Sequence, residues 1–263
     1  MKLTWMGTAA LLLEEGDTVL AFDPFPGLPQ EGPARFDGAV PDGETFRRAT
    51  HVLATHGHFD HIMAVPALYA GEKCPVYVSE TPRRTLTELG FPAERLRSVG
   101  PGRVLELGAF RVRAWQGRHC RFDAPLVART VFSRRTLTHP RRLLELEKLN
   151  RAFPENGETL FYEVTEGDRR LQIMGSLGLD GDTVYPAGAD WLVLPFQGRS
   201  DLAEYALPMV ERLAPRAVLL DHWDDAFPPM SSRVDTGPFE DLVEGKLGIP
   251  CRALEKYETL LLK

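Results

Sequence analysis

Short runs of apolar residues, separated by glycine, proline and aspartate, recur along most of the chain. Such runs, bounded by turn-forming residues, are typical of β-strands. The predicted strands are Leu3–Trp5, Ala10–Leu13, Val19–Phe22, His51–Ala54, Val76–Val78, Val104–Leu107, Phe110–Trp115, Phe161–Thr165, Leu171–Met174, Trp191–Leu194 and Ala217–Asp221. Longer stretches predict helices at Ile62–Ala70, Pro82–Leu89 and Leu202–Leu213. Strands interleaved with helices predict an α/β fold in which a mixed sheet, or a pair of sheets, is covered by helices.

The regular succession of predicted strands is interrupted between Asp123 and Glu158, where we expect a helical insertion over about 124–158. A helix is predicted around Arg142–Arg151, after Pro140. Seven basic and three acidic residues lie between Asp123 and Glu158, whereas the whole chain has a net charge of −6. The arginines either bind an anionic substrate group or form the solvated face of a surface helix. A chain of 263 residues is expected to form a single domain, 1–263, that includes this insertion.

Composition limits the partners and the location that we expect. The chain is 43% hydrophobic and 26% charged, and no long run of Lys and Arg is present, so nucleic acid is not an expected partner. Acidic residues at Glu14, Glu15 and Asp17 interrupt the amino-terminal apolar stretch, which predicts neither a signal peptide nor a membrane partner. Three widely spaced cysteines suit reduced thiols, and we expect a cytoplasmic protein.

The segment Thr55-His56-Gly57-His58-Phe59-Asp60-His61 directly follows a predicted strand. Three of the seven histidines of the chain lie in it. Imidazole nitrogens and carboxylate oxygens are ligands that zinc and similar ions prefer, and a loop at the end of a strand can direct several of them to one point. The alternative is a solvated loop in which Asp60 caps the next helix. The clustering of His and Asp favours a metal site.

His-x-His-x-Asp-His after a strand resembles the signature of the metallo-β-lactamase superfamily. The segments Met1–Gly7 and Val19–Pro24 resemble the first hairpins of its lactonase-like and phosphodiesterase-like branch. The resemblance implies a four-layer αββα sandwich of two mixed β-sheets, with a metal site at one edge. It also implies two groups of ligands, one for each of two ions. These are His56, His58 and His119 for the first ion, and Asp60, His61 and His222 for the second.

The chain departs from this family at Ser176. Most members carry there, after a strand and a glycine, an aspartate that bridges the two metals. Asp180 and Asp182 follow a few residues later, and they either replace that aspartate or are ordinary turn residues. Asp23 is a candidate acceptor for the second N–H of a metal-bound imidazole, and Ser176 is also expected beside the ligands. We therefore expect one or two divalent ions, with zinc first and manganese or iron as alternatives.

The resemblance implies a hydrolase that uses metal-activated water on a small ester, lactone, amide or phosphodiester. Asp60 would accept a hydrogen bond from that water and orient it. The expected partner is a small-molecule substrate, which would carry an anionic group if the basic insertion folds over the site. Two alternatives remain open: an iron-dependent redox enzyme on the same fold, and a non-catalytic metal-binding relative.

Overall fold

The first half of the chain and its last strand form a seven-stranded mixed sheet. The computed structural model describes residues 1–28, 36 and 40–262. The order of strands is β14-β1-β2-β3-β4-β5-β6, with antiparallel pairing from β14 to β3 and parallel pairing from β3 to β6. The strands are β1 Lys2–Gly7, β2 Ala10–Glu15, β3 Thr18–Phe22, β4 His51–Leu53, β5 Val76–Val78, β6 Leu96–Ser98 and β14 Thr259–Leu261.

The second half of the chain forms another mixed sheet, also of seven strands. Its order is β13-β12-β11-β10-β9-β8-β7, antiparallel from β7 to β10 and parallel from β10 to β13. The strands are β7 Val104–Leu107, β8 Phe110–Gln116, β9 Leu160–Glu166, β10 Arg169–Met174, β11 Trp191–Pro195, β12 Val218–Asp221 and β13 Cys251–Ala253.

The helices lie outside the two sheets, and most of them pack on the outer face of a sheet. They are α1 Gly43–Arg47, α2 Phe59–Ile62, α3 Val65–Tyr69, α4 Glu80–Glu88, α5 Ala124–Val131, α6 Arg134–Thr138, α7 Pro140–Ala152, α8 Leu202–Leu213 and α9 Gly237–Leu247. No helix in the described part of the chain has the length and apolar character needed to cross a bilayer.

The side chains of β2 point alternately into two hydrophobic cores, and these cores hold the layers together. Leu11 and Leu13 lie in the core between the two sheets, whereas Ala10 and Leu12 lie in the core between the first sheet and its helices. Because successive side chains of a strand point to opposite faces, a strand segment buried on both faces is apolar at every position, as Ala10–Leu13 of β2 is. The predicted α/β fold, a four-layer αββα sandwich of two mixed sheets, is confirmed.

Two predicted helical segments differ from the structure. The helix expected at Ile62–Ala70 is instead α2 and α3, and Pro66 lies in the first turn of α3, where its missing N–H costs nothing. The insertion holds three helices rather than the one predicted around Arg142–Arg151. Ser133 accepts a hydrogen bond from the Thr136 N–H and begins α6, and Pro140 begins α7.

Candidate metal centre

Loops from both sheets meet at one edge of the sandwich. The loop Thr55–His61 follows β4 of the first sheet, while His119 follows β8 and His222 follows β12 of the second. The structure brings the six predicted ligands together there as two groups of three. Within each group, the donor atoms lie within 4.8 Å of one another; the groups are His56, His58, His119 and Asp60, His61, His222.

The first cluster, His56, His58 and His119, consists of three imidazoles. His56 Nε2 lies 3.1 Å from His58 Nδ1. The Nδ1 atoms of His119 and His56 are engaged elsewhere. His119 Nδ1 is 2.8 Å from the Cys120 carbonyl oxygen, and His56 Nδ1 is 3.0 Å from the Thr55 hydroxyl. These contacts leave the Nε2 atoms of His56 and His119 to face the cluster.

Burial keeps the imidazoles of this first cluster neutral. It lowers the pKa of His56 well below its usual value, lowers that of His58 to about 4 and lowers that of His119. A metal ligand must offer a deprotonated nitrogen. The first cluster is therefore ready to bind a cation at neutral pH without first losing protons.

The second cluster, Asp60, His61 and His222, contains the carboxylate. Asp60 Oδ2 lies 3.1 Å from His222 Nε2 and 3.7 Å from His61 Nε2. Burial would raise the pKa of Asp60, but the nearby His61 and the hydrogen bond with His222 hold it below its usual range. Burial would lower the pKa of His222, but the hydrogen bond to Asp60 raises it to about 9. Asp60 is thus an ionised acceptor.

Asp23 and Thr55 form hydrogen bonds that position the histidines of the two clusters. The Asp23 carboxylate accepts hydrogen bonds from the Thr55 N–H at 2.7 Å and the Thr55 hydroxyl at 2.6 Å, and its Oδ2 lies 2.9 Å from His61 Nδ1. This is the acceptor position that the sequence suggested for Asp23. Thr55 was not singled out, although it directly precedes the first histidine. Its hydroxyl also approaches His56 Nδ1, so it contacts one imidazole of each cluster.

Ser176 lies beside the centre but is not one of the clustered donors. Its hydroxyl oxygen accepts a hydrogen bond from the Cys120 N–H at 3.0 Å, next to His119. Asp180 does not replace the missing bridging carboxylate: it accepts hydrogen bonds from the Asp182 N–H and the Thr183 hydroxyl and pairs with Arg118. Of the two interpretations of Asp180, the turn is therefore the correct one.

The backbone around the centre adopts unusual conformations. Thr8, Asp23 and His222 have positive φ angles of 49°, 44° and 58°. Residues other than glycine rarely adopt this conformation, and they keep it where surrounding contacts impose it. The Thr8 carbonyl accepts the His222 N–H at 2.8 Å, and Asp224 accepts the Thr8 N–H at 2.9 Å. These bonds fix the position from which His222 reaches Asp60.

Gly57 allows the insertion to approach the metal loop. A Cβ atom at Gly57 would lie 2.3 Å from the Pro154 carbonyl oxygen, far inside contact distance. Glycine is therefore required between His56 and His58, because the end of the insertion packs directly on this peptide.

The residues present suit a transition-metal centre. Five imidazoles and one carboxylate converge, and no thiolate is among them. Nitrogen and oxygen donors of this kind suit zinc and also iron. His222 Nδ1 is buried without a hydrogen-bond partner in the described residues, so this nitrogen is not satisfied by the protein alone. The fold and these clusters together define the class: an αββα sandwich with a candidate two-cluster metal centre at one edge.

Comparison with known families agrees with this class. Residues 18–223 match the family model described as the beta-lactamase superfamily domain, and the chain belongs to that superfamily. A relative named UPF0173 metal-dependent hydrolase, from Methylocella silvestris, is 32% identical over 119 residues, which cover 45% of this chain and 48% of the relative. The chain spans about half the length of the curated relatives it matches.

Solved structures share the fold over the whole chain. Igni18, a metallo hydrolase from Ignicoccus hospitalis, aligns with a TM-score of 0.64 at 20% identity and covers 98% of this chain and 97% of its own. CmlA, a diiron beta-hydroxylase from Streptomyces venezuelae, aligns with a TM-score of 0.61 at 16% identity over 99% of this chain and 54% of its own. At these identities the likeness concerns the fold alone.

Proposed function

We propose that this protein is a metal-dependent hydrolase that acts on a small ester, lactone, amide or phosphodiester, with zinc as its metal. The observation that carries the proposal is the convergence of two three-residue donor clusters at one edge of the sandwich. The expected partner is a small molecule. The name of the Methylocella silvestris relative, a metal-dependent hydrolase, supports the reaction class but names no substrate.

Each cluster would hold one ion: His56, His58 and His119 the first, and Asp60, His61 and His222 the second. A divalent ion supplies Lewis-acid activation of water and of the substrate's carbonyl or phosphoryl oxygen. The carboxylate of Asp60, ionised because its pKa is held low, accepts the hydrogen bond of the attacking water and orients it. Asp23 keeps the proton of His61 on Nδ1 and so directs Nε2 toward Asp60.

Aromatic side chains flank the centre and supply apolar contacts for a substrate. The ring of Phe122 lies 6.4 Å from that of His119, and the ring of Phe227 lies 6.5 Å from that of His222. Phe227 also packs on Phe59 at 5.3 Å. Rings on two sides of the metal clusters limit the access of bulk water and strengthen electrostatic interactions inside the site.

Hydrolysis by the metal-loaded protein tests this proposal. The purified chain is stripped with a chelator, reloaded with zinc or manganese, and assayed on esters, lactones, amides and phosphodiesters. We expect hydrolysis of at least one class, lost on chelation. Asp60→Asn should reduce the rate about a hundredfold, in the range of a lost proton-accepting group. His139→Ala, which changes an exposed histidine outside both clusters, should retain full activity. Failure of every metal-loaded form on the whole panel would favour a non-catalytic metal-binding protein.

Iron-dependent redox chemistry is the second candidate, because the same imidazole and carboxylate donors suit iron. CmlA is a diiron beta-hydroxylase with this fold, and that likeness extends to the fold only. The discriminating measurement is metal content after purification without added metal, followed by oxygen consumption of the iron-loaded protein. The hydrolase proposal predicts zinc or manganese and no oxygen consumption. Bound iron together with oxygen consumption would replace it by the redox function.

A further inference from the structure

The insertion exposes a large part of the apolar surface of this protein. Of eleven large apolar side chains that are exposed in the described residues, six lie between residues 122 and 144. Phe132 is 77% exposed, Leu137 70% and Leu144 60%. The six side chains, which we call the insertion surface, are Phe122, Val127, Val131, Phe132, Leu137 and Leu144.

Helix α5 lies at the centre of this surface. Its sequence Ala124–Val131 is mostly apolar, yet none of its residues is buried. Val127 and Val131 are four residues apart and therefore lie on the same face of the helix. A short helix normally owes its stability to an apolar face packed against the protein. An exposed apolar face of this extent is typical of an interaction surface.

Cationic side chains lie among these apolar ones. Arg129, Arg134 and Arg141 are exposed, and their side chains make no hydrogen bond or ion pair with the described residues. Asp123 is the one acidic residue between positions 121 and 144, and it is engaged with the N–H groups of Leu126 and Ser200. The insertion surface is therefore positive on a chain whose net charge is −6, and it suits an anionic partner.

The opposite sides of α6 and α7 are attached to the body of the protein. Arg135 of α6 donates to the Ser231 carbonyl oxygen, Arg142 of α7 donates to the Pro228 carbonyl oxygen, and Phe153 after α7 lies in the core beneath the first sheet. Leu144, two residues after Arg142, points away from the body because two helical positions differ by about 200°. The apolar and cationic groups of α6 and α7 are thus held outward by a fixed scaffold, and the hydrogen bond from the Thr136 hydroxyl to the Thr130 carbonyl oxygen joins α5 to it.

We propose that the insertion surface docks on an anionic lipid bilayer. A bilayer interface accepts exposed Phe, Val and Leu side chains, and its negative headgroups attract the arginines. A second copy of this chain is a less suitable partner. A symmetric dimer formed through the insertion surface would bring the arginines of both chains together without acidic partners. The earlier expectation of no membrane partner rested on the lack of a long apolar run, which interfacial binding does not need. Because the Phe122 ring lies 6.4 Å from the His119 ring, docking would bring the metal centre near the lipid.

Vesicle sedimentation with the full chain tests this proposal. We expect the protein to bind vesicles of phosphatidylcholine with about one-third phosphatidylglycerol, in a manner weakened by salt, and to bind pure phosphatidylcholine much less. The double variant Phe132→Ser/Leu137→Ser should lower the partition coefficient about tenfold or more. Arg129→Glu/Arg134→Glu should lower it about twentyfold or more, since each arginine near the surface contributes about fivefold.

Matched controls lie outside the surface. Val184→Ser changes a side chain that is 85% exposed, and Arg103→Glu changes an exposed arginine directly before β7; both should bind vesicles like the unchanged protein. Because the changed residues are exposed, all variants should keep the circular dichroism spectrum and thermal midpoint of the parent.

No sedimentation with anionic vesicles, or equal loss in variants and controls, would overturn the proposal. A dimer in analytical ultracentrifugation that Phe132→Ser dissociates would also overturn it and assign the surface to a second copy. None of these readouts depends on hydrolysis, so they stand apart from the proposed activity.

Discussion

Asp23 acts on the metal centre through His61 and Thr55. It accepts both the N–H and the hydroxyl of Thr55, and its Oδ2 lies 2.9 Å from His61 Nδ1. A carboxylate behind an imidazole fixes which ring nitrogen carries the proton and how the ring is turned. The donor that His61 presents to a metal thus depends on a residue that lies 38 positions earlier in the chain.

Asp23→Asn should therefore lower metal affinity of the Asp60, His61, His222 cluster by about 10- to 100-fold. Asparagine tolerates the left-handed backbone at this position, so the fold should be kept. The measurement is competition for zinc against a chelator of known affinity. Asp17→Asn, at an exposed turn, is the control and should bind zinc as the parent does. Unchanged affinity in Asp23→Asn would show that Asp23 does not position His61.

Ser176 is expected to position His119 rather than to bind metal. Ser176→Ala leaves the Cys120 N–H, buried beside His119, without its acceptor, which should cost about 1–2 kcal/mol of unfolding free energy. Zinc affinity should fall at the His119 cluster and not at the His222 cluster. Urea unfolding and stepwise zinc titration measure the two effects, with the exposed Ser98→Ala as control. A loss confined to the His222 cluster would instead make Ser176 part of the second site.

At the scale of elements, the end of the insertion caps a helix of the first half. Glu158 accepts hydrogen bonds from the Thr81 N–H at 2.7 Å and the Thr81 hydroxyl at 2.8 Å, in the first turn of α4. A carboxylate at a helix N-terminus satisfies N–H groups that the helix leaves free and interacts favourably with its dipole. Partial burial would raise the pKa of Glu158, but the bonds from Thr81 lower it overall.

Glu158→Gln should lower the unfolding free energy by about 1 kcal/mol at pH 7, a modest value because the carboxylate is partly exposed. A lowered pKa in the folded state stabilises the protein above the unfolded pKa, and this contribution disappears as the pH falls through the folded value. The difference between parent and variant should therefore shrink from pH 7 toward pH 3. Urea unfolding at several pH values measures it, with the exposed Glu88→Gln as control. A difference independent of pH would exclude the charge of Glu158 as its cause.

Strands that are apolar and buried on both faces were predicted well, whereas the short and partly exposed β14 was not. The hairpins of β1 to β3 are visible as apolar runs because both faces of these strands are buried. Strand β14, by contrast, is short and partly exposed, and it exists because it pairs with β1 across the whole length of the chain. No local pattern encodes that pairing.

At the scale of the molecule, the centre lies where loops of the two sheets meet. The sequence motif identified the four ligands between His56 and His61, since they are clustered, whereas His119 and His222 were placed by the family resemblance. The roles of Thr55, the Cys120 carbonyl and Thr8 could not be predicted, because each depends on contacts between loops distant in sequence. The superfamily membership, the fold and the clustering of the six predicted ligands all support a metal centre at this edge of the sandwich.

The number of tightly bound ions per chain tests the central claim most directly. Protein purified without added metal, then saturated with zinc and dialysed, is analysed by mass spectrometry for metal content. The two clusters predict close to two ions per chain, one of them lost in His119→Ala and the other lost in His222→Ala, with both kept in His139→Ala. A chain that retains no ion, or that retains two ions in all three variants, would contradict the account.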